Sequence, residues 1–93
     1  MDEARLKRLK FRAWRRGFRE ADLILGPFAD RHAQNLSLDE VAAFERLLDL
    51  PDHDVYGWIV GSRPTPPAEE TPLLAKLRAF QRWGGANFSE GRG

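Results

Sequence analysis

Apolar residues recur at intervals of three and four positions in five stretches of this chain, the spacing that gathers side chains on one face of an α-helix. No segment alternates apolar and polar residues as a half-buried β-strand does. The pattern therefore predicts an all-α protein with five helices. The principal predicted core residues are Leu6, Leu9, Ala13, Ala21, Ile24, Leu25, Phe28, Val41, Phe44, Leu47, Leu48, Val55, Trp58, Ile59, Leu73, Leu77 and Phe80.

Turn and capping residues separate the predicted helices. Gly17 falls between the first two apolar stripes and predicts a break there, because glycine adopts the backbone conformations that end helices. Ser37 and Glu40 match the capping-box pattern at the start of the third helix. Gly61 is the expected C-cap of the fourth helix, and Thr71 is the expected N-cap of the fifth.

Three further segments depart from the regular helical pattern. The Gly26-Pro27 pair predicts a kink in the second helix, or its division in two, because proline has no backbone N–H to donate. Asp52 is the expected N-cap of the fourth helix. Residues 62–68 contain three prolines and predict a stiff, extended connector rather than a part of the core.

Length and composition limit the architecture. The chain of 93 residues, 42% of them hydrophobic, has room for one small domain, which we assign to residues 1–83, and the glycine-rich residues 84–93 predict a flexible tail. The absence of cysteine excludes disulfides and thiolate metal sites and fits a reducing cytoplasm. No apolar run approaches the roughly 20 residues that cross a bilayer, so we expect no membrane insertion.

Charge is distributed unevenly along the chain. The net charge is +1, but residues 1–19 carry +6 and the remaining residues carry −5. The basic first helix fits a partner with a mixed-charge surface, the phosphates of a nucleic acid, or a helix face that is simply solvated. Its arginines also resemble a mitochondrial presequence. The preceding acids, Asp2 and Glu3, and the direct continuation into the core pattern favour a mature helix.

Residues able to carry out catalysis are sparse. The two histidines, His32 and His53, fall in different predicted segments without a cysteine beside them, so no metal site is expected. Asp52 and Asp54 are explained as a cap and a first-turn acid. The chain has no glycine-rich phosphate loop and no nucleophile elbow. We therefore expect that the protein is not itself an enzyme.

The segment Arg15-Arg16-Gly17-Phe18-Arg19-Glu20 places a glycine and opposite charges at the first helix junction, where folding alone demands little. Glu20 falls in the first turn of the second helix, where the helix dipole favours a carboxylate. Arg16 is close enough in sequence to pair with Glu20, or to leave it free for a partner. The junction is thus either a capped turn with a surface ion pair or a binding site. Trp14 and Phe18 flank it as the aromatics expected to be partly exposed.

Two segments resemble a known family. The run Arg15 to Asp22 resembles the R-G-x-x-E signature of the FAD assembly factor SdhE (YgfY) family, with the extra arginine before it and the Arg-Glu-x-Asp continuation. Asp52-His53-Asp54-Val55-Tyr56-Gly57-Trp58 is similar to that family's D-P-D-aliphatic-aromatic-x-W segment, with His53 in place of the usual proline. The resemblance covers about Leu6 to Ile59 and continues weakly to Trp83.

The resemblance implies a small five-helix domain that binds the flavoprotein subunit of succinate dehydrogenase, and in some bacteria of fumarate reductase, and promotes covalent attachment of FAD. In that chemistry the flavin and the histidine nucleophile belong to the client, so the factor binds no cofactor stably and acts as a chaperone. We also expect a monomer in the bacterial cytoplasm. The partner-binding residues implied by the resemblance are Arg15, Arg16, Gly17, Phe18, Arg19, Glu20 and Asp22.

The residues alone leave two other functions open. A small helical nucleic-acid-binding domain would use the basic first helix, and its binding would fall steeply with salt, but the acidic remainder of the chain argues against it. In a generic helical protein-interaction module, the charged junction would have no functional role. Neither alternative predicts selectivity for a flavoprotein.

Overall fold

The computed structural model of the chain describes residues 2–15 and 17–82. This part of the chain forms five α-helices and no strand, which confirms the all-α prediction. Short 3-10 turns follow the second helix at Ala33–Asn35 and precede the fifth at Pro67–Glu69. The α-helices are α1 (Glu3–Trp14), α2 (Arg19–His32), α3 (Leu38–Leu47), α4 (Asp52–Val60) and α5 (Pro72–Arg82). The predicted tail, residues 84–93, lies outside the described residues.

A single core joins the five helices, with α2 packed against α1, α4 and α5. The rings of Phe28 and Phe44 are buried at its centre and meet edge to face, 5.8 Å between ring centroids. All the predicted core residues are buried except Leu6 and Phe80, which are half-buried and pack against the same cluster. The helical periodicity therefore identified the core correctly, because each buried stripe faces a neighbouring helix.

The helix caps confirm most of the predicted boundaries. In the capping box of α3, the Glu40 N–H donates to Ser37 Oγ at 3.1 Å, and the Ser37 N–H donates to Glu40 Oε1 at 3.0 Å. Thr71 Oγ1 accepts from a first-turn N–H of α5. Gly61 ends α4 with a left-handed φ of +88°. These residues satisfy backbone groups that a helix end leaves unpaired.

The prediction that Asp52 is the N-cap of α4 is wrong. Pro51 occupies the cap position with φ −59° and ψ 136°, and no side chain caps the first turn. The ring of Pro51 holds φ near the value that a helix entry accepts, so the helix begins one residue earlier than a side-chain cap at Asp52 would allow. Asp54 lies in the first turn, as predicted, and Asp52 lies there too, where the helix dipole favours both acids.

Helix α2 is continuous through Pro27, so the expected division of this helix does not occur. Pro27 cannot donate to the carbonyl of Leu23, one turn earlier, and the predicted bend stays a prediction. The burial of Gly26, Pro27 and Phe28 against the other helices compensates for this missing hydrogen bond.

The proline-rich connector is tied to the helices that it joins. Pro66 is extended as predicted, but Pro67–Glu69 forms a 3-10 turn, and the prediction of an extended chain is wrong there. Arg78 of α5 donates to the carbonyl of Trp58 at 3.1 Å and to Glu70 at 2.9 Å, and it also bonds the hydroxyl of Thr65. Arg78 therefore holds the connector in place, although nothing in the sequence around Arg78 predicts this role.

Candidate functional site

The junction between α1 and α2 is a sharp turn built around Gly17. Helix α1 ends at Trp14 and α2 begins at Arg19, and between them Gly17 takes a left-handed φ of +91°. A Cβ atom placed on Gly17 would have no other atom within 4 Å. The turn therefore requires glycine for its backbone conformation and not for lack of space in the isolated protein. This confirms the predicted break between the two helices.

Phe18 fixes the junction to α4. Its ring lies 4.6 Å from the ring of His53 and 5.3 Å from that of Tyr56, centroid to centroid, and it meets Tyr56 edge to face. Both partners belong to the second of the two sequence segments, residues 52–58, so the fold brings the two segments into direct contact. The aromatic contacts hold the junction in one position relative to the core, which preorganises the charged residues around it.

Trp14 supports the other side of the junction by packing on α2. A Cβ atom on Gly26 would lie 2.3 Å from the indole ring, so the ring occupies the space that a side chain would need. The indole Nε1–H donates to Asp30 Oδ2 at 3.1 Å, while 40% of Trp14 stays exposed. Gly26, predicted only as part of a helix-disrupting pair, thus allows the close approach of α1 and α2. The partial exposure predicted for Trp14 and Phe18 is confirmed.

Two charged residues at the start of α2, Arg19 and Glu20, are exposed. Glu20 is exposed in the first turn of α2, and within residues 2–15 and 17–82 its carboxylate makes no hydrogen bond or ion pair. Arg19 beside it is exposed, and Asp22 is half-buried in the same turn. The predicted pairing of Arg16 with Glu20 concerns a residue outside the described part of the chain. Glu20 is thus an exposed carboxylate whose backbone position is set by the first turn of α2.

Two arginines on one side of α1 are used by the fold. Arg5 donates two hydrogen bonds to Glu45, at 2.9 and 2.8 Å, which lowers the pKa of the Glu45 carboxyl. Arg12 contacts Asp49 at 2.6 Å in the turn after α3. These pairs orient α1 against α3. The Arg15 guanidinium instead lies 4.8 Å above the ring of Phe11, in cation–π geometry.

Phe11 is the surface residue that sequence reasoning missed. It is 60% exposed, and it borders an open cleft of about 280 Å³ lined also by Arg12, Arg15, Leu48 and Asp52. A signal was present in the sequence, since Phe11 lies two positions after buried Leu9 and so projects about 200° away from it around the helix. An aromatic residue on the solvent side of an amphipathic helix has no role in the core.

The two histidines lie apart in the described part of the chain, and neither belongs to a metal-binding group. No group of three His, Asp or Glu side chains in it could hold a metal ion. His53 packs on Phe18, whereas His32 packs against the rings of Phe28 and Phe80 at 5.2 and 5.6 Å. The two histidines therefore serve separate aromatic clusters. None of the described helices has the length and apolar character required to cross a bilayer.

Comparisons with known proteins show relatives that are assembly factors. Residues 7–81 match the family described as "Flavinator of succinate dehydrogenase". The chain is 36% identical to the FAD assembly factor SdhE of Acetobacter pasteurianus, over 80% of this chain and 68% of that protein. It is 44% identical to the mitochondrial succinate dehydrogenase assembly factor 2 of Cryptococcus neoformans, over 83% of this chain and 45% of the relative.

A further relative comes from an insect. The mitochondrial succinate dehydrogenase assembly factor 2-A of Drosophila yakuba is 35% identical over 82% of this chain and 48% of its own length. The aligned region thus spans about two thirds of the bacterial relative and about half of the mitochondrial ones. In each comparison most of this chain is covered, including the match from residue 7 to residue 81 that contains the junction and helix α4.

Proposed function

Because the chain belongs to the family of flavinators of succinate dehydrogenase, we propose that it binds the flavoprotein subunit of that enzyme and promotes covalent attachment of FAD. Family membership confirms the assembly-factor class that the two sequence segments predict. It also confirms the prediction that the protein is an assembly factor and not an enzyme. The flavin and the reacting histidine belong to the client in this proposal. The factor contributes binding energy and no reacting group.

The mechanism is selection of a client conformation. If the factor binds more tightly to the form of the flavoprotein in which flavin and nucleophile are aligned, it raises the population of that form. Each tenfold rise in that population ratio requires about 1.4 kcal/mol of preferential binding. Alignment of two reacting groups is itself a large source of rate acceleration, so a small binding preference is sufficient to promote the reaction.

The observation that carries the proposal is the exposed Glu20 carboxylate on a rigid junction. Phe18 holds the junction against α4 and Trp14 holds it against α2, so the position of Glu20 is set before a partner arrives. A backbone that is already held in place loses little conformational entropy on binding. We assign Glu20 and Arg19 to polar contacts with the client, while Gly17 permits close backbone approach.

The remaining residues of the predicted site have supporting roles in this proposal. Arg15 and Arg16 supply positive charge beside Gly17, and Asp22 supports the first turn of α2. Phe18 and the exposed part of Trp14 add apolar contact area, the kind of contact that dominates interface energetics. The proposal further comprises a monomeric factor in the bacterial cytoplasm, with fumarate reductase as a second client and no flavin held by the factor itself.

The test is in-gel fluorescence of covalent flavin on the denatured succinate dehydrogenase flavoprotein subunit, prepared with this protein, without it, or with Glu20→Ala. Asp39→Ala is the matched control, since Asp39 is also an exposed acid in the second helical position of its helix, α3. Each substitution removes a similar interaction with a helix dipole, about 0.3–1 kcal/mol.

We expect fluorescence to rise with the intact protein and with Asp39→Ala, and to stay near the level without factor for Glu20→Ala. Equal loss in both variants would show that helix stability and not the junction limits function, and it would remove Glu20 from the site. Equal fluorescence in all lanes with a folded client would refute the flavinylation role.

A further inference from the structure

The outward side of α1 carries an aromatic ring among positive charges. Phe11 lies at the centre, with Lys7 and Arg8 one turn before it and Arg15 one turn after it. We call these four residues the basic aromatic face. The opposite side of the helix is the core stripe, in which Leu9 is 1% exposed. The basic aromatic face is thus the part of α1 that the fold turns toward solvent.

The fold does not neutralise this face. Arg5 and Arg12, which border it on the side facing α3, are paired with Glu45 and Asp49. In residues 2–15 and 17–82, by contrast, no acid lies within ion-pair distance of the three cations on the face. The three cations share one side of the helix, and 60% of Phe11 is exposed to water, which is unfavourable for a phenyl ring. Apart from the cation–π contact of Arg15 with Phe11, the face is therefore open to a partner.

The face is continuous with the junction that we assign to the client. Arg15 belongs to both, because its guanidinium lies over Phe11 and its backbone forms the C-cap of α1 next to Gly17. The cleft of about 280 Å³ beside Phe11 and Arg15 extends the same surface toward Asp52 at the start of α4. A partner that binds Glu20 and Arg19 could therefore contact the basic aromatic face at the same time, through the surface around Arg15.

We propose that the basic aromatic face is a second contact surface for the flavoprotein client and that it binds an acidic segment which also presents an apolar side chain to Phe11. This inference rests on the proposed function and specifies the chemistry of the partner. Three cations attract carboxylates, and an exposed aromatic ring beside a cleft fits an apolar side chain, a combination that protein partners offer. A phosphate polymer is disfavoured because residues 20–93 carry a net charge of −5.

The two components of the face predict different behaviour. The charges act over distance and mainly accelerate association, so their contribution falls as salt screens them. The ring acts on contact and mainly slows dissociation, so its contribution persists in salt. A protein interface would show both effects, whereas a basic helix that is only solvated would show neither.

The test measures association and dissociation rates of the full chain with the purified apo flavoprotein subunit, from 50 to 500 mM NaCl. Lys7→Glu is compared with Arg82→Glu, which reverses an exposed charge in the last turn of α5. Phe11→Ala is compared with Leu38→Ala, because Phe11 and Leu38 are 60% and 62% exposed. Melting temperatures verify that all four variants fold, and Glu20→Ala reports on the junction.

We expect Lys7→Glu to slow association about tenfold at 50 mM NaCl, with little effect at 500 mM, and Phe11→Ala to accelerate dissociation several-fold at every salt concentration. The two controls should behave like the wild type. If Glu20→Ala weakens binding while Lys7→Glu and Phe11→Ala do not, the face is not an interface and the proposed function stands.

Two other outcomes would also overturn the inference. If the wild type does not bind the flavoprotein at all, the proposed function fails together with the face. A labelled DNA duplex is titrated in parallel, and if Lys7→Glu weakens duplex binding but leaves the flavoprotein rates unchanged, the face is a nucleic-acid site.

Discussion

Replacing Gly17 separates the contribution of the junction to folding from its contribution to binding. Gly17 has a φ of +91°, in the left-handed region that costs an L-residue with a side chain about 1–2 kcal/mol. Apart from the adjacent residues, nothing lies within 4 Å of a Cβ placed there, so the backbone conformation is the main cost of Gly17→Ala in the folded state. For a domain of this size, 1 kcal/mol corresponds to a fall in melting temperature of roughly 4–8 °C.

Gly61 provides a matched control within the same chain. Its φ is +88°, it is the C-cap of α4, and a Cβ placed on it also has open space within 4 Å. Gly61→Ala should therefore lower the melting temperature by the same amount as Gly17→Ala. Because small domains are stable by at least about 5 kcal/mol, both variants should stay more than ~99% folded at 25 °C.

Function should distinguish the two glycines. We expect Gly17→Ala, and more strongly Gly17→Arg, to lower covalent flavin fluorescence of the client, because added side-chain atoms project into the space that we assign to the client backbone. Gly61→Ala and Gly61→Arg should support flavinylation like the wild type. The reasoning is refuted if the variants at Gly17 and at Gly61 all lose function in proportion to the fall in their melting temperatures. It is also refuted if Gly17→Arg is fully active.

Two predictions concern the fold itself. Gly26→Ala should destabilise the protein by about 1–3 kcal/mol, since its methyl group would lie 2.3 Å from the Trp14 ring, whereas alanine in an unobstructed helix would stabilise it by up to about 1 kcal/mol. Urea unfolding measures the sign, and a gain in stability would contradict the close packing. The Arg5 hydrogen bonds lower the pKa of Glu45, so the stability that this pair supplies is present above the unfolded-state pKa of about 4.3 and is lost as pH falls through the lowered folded value. Glu45→Gln should therefore be less stable than the wild type at pH 7 and differ less from it at pH 3, and a difference independent of pH would contradict the pairing.

The helices and their ends could be predicted from the sequence because they depend on residues within about four positions of one another. The stripe that contains Phe44, the capping box at Ser37 and the helix end at Gly61 are all local features, and each was found where expected. The N-cap of α4 is also a local feature, but two adjacent residues, Pro51 and Asp52, could each occupy the cap position, and Pro51 does.

The chain by itself determined the five helices, the exposed position of Glu20 at a helix start, and the two segments that identify the family. Only the tertiary structure decided that Phe18 packs on His53, that Trp14 fills the space left by Gly26, and which arginines of α1 are paired. These contacts join residues that are distant along the chain. They depend on the angle and distance at which the helices pack, which arise from the fit of the whole core and which no local pattern encodes.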